Sequence, residues 1–174
     1  MNRLLSIGLS LALLTGCATT TPPVPVAQVQ AVIPGQYDRN NVFARIIRGE
    51  LPAAKVYEDA NVLAFMDIKP VERGHVLVVS KRSQARNLLE IDLADLDRVI
   101  AVARRIGQAQ IRAIGANGFS IEQNNGYGQT VLHLHVHVIP RYEGQPWGEK
   151  GGPQQTPEQL EPLAASIRAA LPPA

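Results

Sequence analysis

Three of the chain's four histidines alternate with apolar residues in His133-Leu134-His135-Val136-His137. Side chains alternate across a strand. Val131, His133, His135, His137 and Ile139 would therefore share one face, and Leu132, Leu134, Val136 and Val138 the other. The imidazoles would stand in a row, roughly 6 to 7 Å apart at strand rise. The apolar face would fix the register, because a one-residue slip buries the imidazoles. A lone histidine is usually structural or merely exposed. Three in strict alternation predict a functional site. The fourth, His75, opens another predicted strand and is expected beside them.

Two chemistries suit such a row. Histidines at this spacing can hold zinc or another divalent metal. They can also supply a nucleophile with flanking acid-base or charge-stabilising partners. No acidic residue lies between Gln123 and Arg141, which weighs against metal catalysis. The preceding loop, Asn124-Asn125-Gly126-Tyr127-Gly128-Gln129-Thr130, weighs toward phosphate. Its glycines allow close backbone approach, and its amides and hydroxyls suit phosphate oxygens. Taken alone it is an ordinary Gly/Asn turn; its attachment to the histidine strand gives it meaning.

The positioning elements read as follows. Asn41 to Gly49 predicts one or two helical turns, with a side-chain cap before them and Gly49 as the stop. Lys55–Glu58 and Val62–Met66 read as strands joined by Asp59-Ala60-Asn61, and His75–Ser80 as a near-continuous apolar strand. A long helix starts near Asp92, with Leu93, Leu96, Val99, Ile100, Ala103, Ile106, Gln110 and Ile114 close to a helical period, and ends at Gly115. Phe119–Gln123 and Val131–Ile139 are further strands, the second stopped by Pro140. Thr156-Pro157-Glu158-Gln159 opens a last helix with a cap, a first-position proline and a capping-box glutamine. Strands, a long helix and more strands predict an α+β fold: an antiparallel sheet of about five strands, one long helix and a C-terminal helix.

Residues 1–16 read as an address. Arg3 supplies a positive start, and the apolar stretch Leu4–Leu14 is shorter than the roughly 20 residues a spanning helix needs. Leu14-Thr15-Gly16-Cys17 resembles a bacterial lipobox, which makes Cys17, the only cysteine, the expected site of lipidation. Ala18 after it favours the outer membrane, with the domain facing the periplasm. Residues 17–36 are Thr/Pro/Gln-rich and predict an extended tether. The folded domain is expected over residues 37–174. With a net charge of +2, about +1 once Arg3 is removed, and no basic run, a nucleic-acid partner is not expected.

The chain resembles the histidine-triad family of nucleotide hydrolases and transferases, whose motif is three histidines alternating with apolar residues. The likeness extends over about residues 40 to 142, through Phe43-Ala44-Arg45-Ile46-Ile47-Arg48-Gly49-Glu50-Leu51-Pro52, Ala64-Phe65-Met66-Asp67-Ile68-Lys69-Pro70, Gly74-His75-Val76-Leu77-Val78-Val79 and the Asn124–Thr130 loop. The resemblance implies a histidine-triad-like fold and a homodimer with a sheet continued across two subunits. It implies cleavage of the α-phosphate linkage of nucleoside phosphoramidates, dinucleoside polyphosphates or related adenylylated compounds. His135 would be the nucleophile and would form a nucleotidyl-histidine intermediate. His133, His137, Gln129 and the Thr130 N–H would hold phosphate oxygens, with His75 supporting the site. Asp67 would accept the ribose hydroxyls, Asn124 would lie near sugar and phosphate, and Ile46, Phe65 and Ile68 would line the base pocket of a purine nucleotide. No cofactor or catalytic metal is implied.

Many family members carry Cys-x-x-Cys and a histidine that serve a structural zinc. Asn41, Ala44 and Ser83 stand at those positions here, so that zinc is not expected. Tyr127 is inserted in a loop about two residues shorter than in many members. Two other readings remain: a nucleotide-binding lipoprotein with little turnover, and a periplasmic metal-binding protein that uses the histidine row.

Overall fold

The structure, a computed structural model, describes residues 35–148 and 151–173. The expected signal segment, Cys17 and nearly all of the tether lie outside the described residues. In chain order the elements are α1 (Val42–Ile47), β1 (Lys55–Glu58), β2 (Val62–Met66), β3 (Val76–Ser80), α2 (Leu93–Ile114), β4 (Gly118–Glu122), β5 (His135–Arg141) and α3 (Pro157–Ala169). The strands form one antiparallel sheet in the order β1-β2-β3-β5-β4. This is the expected α+β architecture, with five strands, one long helix and a C-terminal helix.

Local chemistry explains the boundaries. The Asn41 side chain accepts from the Phe43 and Ala44 N–H groups, both at 3.0 Å, and Gly49 takes a positive φ of 74° after α1. Asp59 closes the β1–β2 turn by accepting from the N–H groups of Asn61 and Val62, both at 2.7 Å. Asp92 caps α2, and Gly115 ends it in the left-handed region at φ 69°. Thr156 and Gln159 form the expected capping box on α3, and Pro162 sits inside that helix without ending it.

Both faces of the sheet centre are covered. Val62, Ala64, Met66, Val76, Val78, Leu134, Val136 and Val138 pack against Val99, Val102, Ala103 and Ile106 of α2 and Leu160, Ala164 and Ile167 of α3. Leu63, Phe65, Leu77 and Val79 point the other way, toward Phe43 and Ile46 of α1. Coverage on both faces is why β2 and β3 read as continuous apolar runs. Val99, Ala103, Ile106 and Gln110 of the expected α2 stripe are buried, and the stripe differs from the one expected at other positions. Val102, Gly107 and Ala109 are buried, whereas Leu93 and Ile100 are exposed, because α2 packs on β3, β5 and α3 together.

The histidine strand differs from its expected bounds at both ends. It begins at His135 rather than Val131 because pairing with β3 starts at Val79–His135, close to the end of β3 at Ser80. The Leu134 N–H turns instead to the Ala85 carbonyl, at 2.8 Å. Pro140 does not end the strand. On one side β3 has already finished opposite Val138, and on the other β4 continues to the Gly118–Arg141 pair.

Gly107 tests the packing of α2 on β4. A Cβ there would lie 2.6 Å from three ring atoms of Phe119. Overpacking of this kind costs about 1–3 kcal/mol, against a gain of about 1 kcal/mol in helix propensity. Gly107→Ala is therefore expected to lower the thermal midpoint, and a midpoint at or above that of the wild type would show that Phe119 moves aside freely.

Candidate active site

Because Leu134, Val136 and Val138 are held under α2, His135 and His137 must face the α1 side of the sheet. There they border a cleft of about 880 Å³, within the usual range for small-molecule sites. Its floor comes from Phe65, Leu77, His135, His137 and Ile139, one wall from Phe43 and Ile46 of α1, and another from Asn124, Gly128, Thr130 and Val131. Asp67, Ile68 and His75 complete the ring of residues that the sequence placed in the site.

The hydrogen bonds assign the tautomers. His135 Nδ1 lies 2.7 Å from the carbonyl oxygen of His133. A carbonyl only accepts, so Nδ1 carries the proton and Nε2 keeps a free lone pair. The Phe43 ring meets the imidazole edge-on, with centroids 4.8 Å apart, and fixes its tilt.

A relay orients the neighbouring imidazole. The Val71 N–H donates to His75 Nδ1 at 3.2 Å, so His75 carries its proton on Nε2. That group donates to His137 Nδ1 at 2.9 Å. His137 is then left with an N–H on Nε2, which is buried and has no protein partner. A buried donor at a cleft wall is a binding group for an oxygen atom. Asp67 Oδ2 lies 3.4 Å from His75 Nδ1, beyond hydrogen-bond length, while Asp67 Oδ1 accepts from the Lys69 N–H at 2.8 Å.

Burial keeps all four imidazoles neutral. Desolvation pushes His75 down to about 3 and His133 and His135 down to about 4. It lowers His137 as well and raises Asp67. A neutral, oriented imidazole is a nucleophile.

Two expected contacts are not in the cleft. His133 precedes the strand, and its ring, 2 % exposed, turns away from the cleft to place Nδ1 2.7 Å from the Tyr37 hydroxyl. The row of three is therefore a row of two, with His75 behind it. Gln129 is also turned away: its Nε2 donates to the Arg86 and Val131 carbonyls, and its side chain ties down the loop. Nothing in the sequence marks either long-range partner.

Other residues of the cleft escaped the sequence reading. Phe43 could have been found, because it lies one turn from Ile46 on the same face of α1. Glu122 lies opposite His137 across the β4–β5 ladder. Gly151, Gln154, Gln155 and Thr156 also border the cleft, since the Gly152 and Gln155 N–H groups donate to the Pro70 and Ile68 carbonyls at 2.8 Å. That contact joins segments more than 80 residues apart and has no local signal.

The three triad histidines do not converge on one point. Among the described residues a different trio, Asp67, His75 and His137, brings one ligand atom from each to within 4.8 Å of the others. Asp67 thus supplies a carboxylate that no residue near the histidines in sequence could. Both His75 nitrogens are already engaged by protein groups, so a metal on this trio would displace a hydrogen bond. The positions of the family's structural zinc offer no ligands: Asn41 caps α1, Ala44 has no donor, and Ser83 Oγ accepts from the Ala85 N–H.

This fold and site define a sheet-borne pair of neutral imidazoles above a nucleotide-sized cleft. The chain matches the HIT domain family model over residues 48–144 and belongs to that family. It is similar to the protein hit of Bacillus subtilis, at 40 % identity over 138 residues, covering 74 % of this chain and 92 % of that protein. The crystal structure of a Hit-like protein involved in cell-cycle regulation from Bartonella henselae superposes with a TM-score of 0.74 at 45 % identity, over 79 % of this chain and all of that one. An adenylylsulfatase of Arabidopsis thaliana is 36 % identical over 104 residues, 59 % of this chain and 52 % of that protein.

The depressed histidine values have a sign that can be measured. Unfolded histidines take up protons near pH 6.5, while His133 and His135 in the native protein wait until about 4 and His75 until about 3. Between these limits the unfolded chain binds more protons, so stability is expected to fall as pH drops below 6.5. His137, also lowered, acts in the same sense, and the raised value of Asp67 acts in the opposite one, as one group against four. Thermal midpoints from pH 7.5 to 4.5 should decline, and NMR titration of His135 should show no midpoint above pH 5. A His135 midpoint near 6.5 would contradict the burial argument.

Proposed function

We propose that this protein is a nucleotidyl hydrolase or transferase that cleaves the α-phosphate linkage of adenylylated compounds, nucleoside phosphoramidates or dinucleoside polyphosphates. The observation that carries the reading is the pairing of opposite imidazole roles at one end of the cleft. His135 offers a lone pair on Nε2, and His137, beside it at a centroid distance of 4.9 Å, offers an N–H on Nε2. His135 attacks the α-phosphorus, the bond to the leaving group breaks with its electron pair on that group, and a nucleotidyl-histidine forms. His137 donates to an oxygen on which charge grows, an interaction stronger in the transition state than in the ground state. Water then attacks phosphorus and gives up a proton to solvent, the P–N bond breaks with its electron pair returning to Nε2, and a nucleoside monophosphate and neutral His135 result. The Arabidopsis relative, named for an adenylyl substrate, supports this substrate class.

On this reading Ile46, Phe65 and Ile68, which line the cleft, would take the purine base, Asp67 the ribose hydroxyls, and Asn124 and the Thr130 N–H the phosphate. The chemistry needs no metal or organic cofactor. We further propose that Cys17 is lipidated and holds the domain on the periplasmic face of the outer membrane. We also propose a homodimer: β4 lies at the edge of the sheet, and Ile100, Ile111 and Ile121 are exposed on α2 and β4.

The direct experiment is a product survey of the purified domain against a panel of adenylylated compounds, in chelator. His135→Ala is expected to lower turnover by at least ~10³-fold, equivalent to about 4 kcal/mol of barrier. His137→Ala should cost roughly 10- to 10³-fold, the scale of a lost charge-stabilising donor. Rapid quench with labelled α-phosphate should trap acid-labile label on the wild type and none on His135→Ala. Near-wild-type turnover of that variant would defeat the mechanism. Activity abolished by chelator and restored by zinc would favour a metal on Asp67, His75 and His137.

For the anchor, Cys17→Ala is expected to move the protein from the membrane to the soluble periplasmic fraction. Retention in the membrane would place the attachment elsewhere.

A further inference from the structure

Aligning the His135 lone pair depends on where the His133 carbonyl points, because that oxygen takes the Nδ1 proton at 2.7 Å. His133 lies before β5, where no β-ladder fixes its backbone, and the nearest backbone tie is the Leu134 N–H to the Ala85 carbonyl. What remains to orient the residue is its own ring. That ring is almost fully buried and lies outside the cleft. Its Nδ1 and the Tyr37 hydroxyl lie 2.7 Å apart, the length of a hydrogen bond. Phe43 meets both imidazoles edge-on, His133 at 6.1 Å and His135 at 4.8 Å, so a shift of one is felt by the other.

We propose that Tyr37 is a positioning residue for the nucleophile: its hydroxyl seats the His133 ring, and the seated residue aims the carbonyl that fixes the His135 tautomer. The role rests on the nucleotidyl-transfer reading for its kinetic consequence but not for its structural one. Tyr37 is itself well placed to be rigid. Two residues earlier the Gly35 carbonyl accepts from Arg86 Nη1 at 2.7 Å, and Arg86 pairs with Glu90. The Arg86 carbonyl in turn accepts from Gln129 Nε2 in the phosphate-side loop. The end of the tether, the segment after β3 and the loop before the histidines are thus fastened into one support. A hydroxyl in this setting cannot be replaced by water without a change of shape, because its partner nitrogen is buried.

The test is a double-mutant cycle of Tyr37→Phe and His133→Asn in the full-length domain, with the phenylalanine keeping the ring and removing only the hydroxyl. Tyr37→Phe is expected to lower kcat about tenfold, the rate equivalent of one buried hydrogen bond. KM for the substrate should change less than twofold, and so should the affinity for a nucleoside monophosphate. In the His133→Asn background the same substitution should have no further effect on kcat, because its target is gone. Long-range ¹H–¹⁵N spectra should show His135 protonated on Nδ1 in the wild type and as a mixture of tautomers in Tyr37→Phe. The proposal is overturned if Tyr37→Phe keeps wild-type kcat and a single His135 tautomer. It is equally overturned if the losses simply add in the double variant, or if KM moves and kcat does not. A wild-type domain inactive on every nucleotide tested would sink the functional reading while the tautomer comparison still decided the role of Tyr37.

Discussion

One strand lies between two different environments, and the rest of the site follows from that. On one side of β5, Leu134, Val136 and Val138 are sealed beneath α2, and burying a single valine of this kind stabilises the fold by about 1.5–3 kcal/mol. Sliding β5 by one residue would replace all three with imidazoles. The hydrophobic face therefore holds the polar one, and the positions of His135 and His137 follow from packing with no histidine contributing to the core. The cost is desolvation of those imidazoles, which lowers their basicity and leaves them neutral at physiological pH. A nucleophilic imidazole requires that same neutrality, so the stability of the fold and the reactivity of the site draw on one arrangement.

Neutrality would be of little use without a defined proton on each ring. Two short chains of hydrogen bonds supply it, and both begin at a backbone group whose role cannot change. A carbonyl directs the proton of His135 inward, and an amide N–H, acting through His75, directs that of His137 outward into the cleft. Adjacent imidazoles thereby present opposite faces of the same chemistry, lone pair and donor.

How much of this could be read in the sequence depended on the range of the interaction. Caps and turns were legible because Asn41, Asp59, Asp92 and Thr156 act on groups two or three residues away. The facing of His135 and His137 was legible because alternation is a local rule. His133 obeyed the alternation but left the strand, since the decisive fact was that β3 ends nearby at Ser80. Gln129 looked like a phosphate ligand by composition, yet the Arg86 carbonyl, brought close only by the fold, claimed its amide. The stripe of α2 shifted for a related reason: α3 covers part of it, and a helix period cannot say how many partners a helix has.

The family match spans residues 48–144, but the cleft does not end where that match does. Val42 and Phe43 at the start of α1 approach from before it, and the Gly152 and Gln155 amides fasten a wall to the Ile68–Pro70 segment from after it. The matched core carries His135 and His137, while segments on either side of it complete the cleft wall. A change in α1 or in residues 151–157 alters the cleft wall and leaves the β5 register untouched.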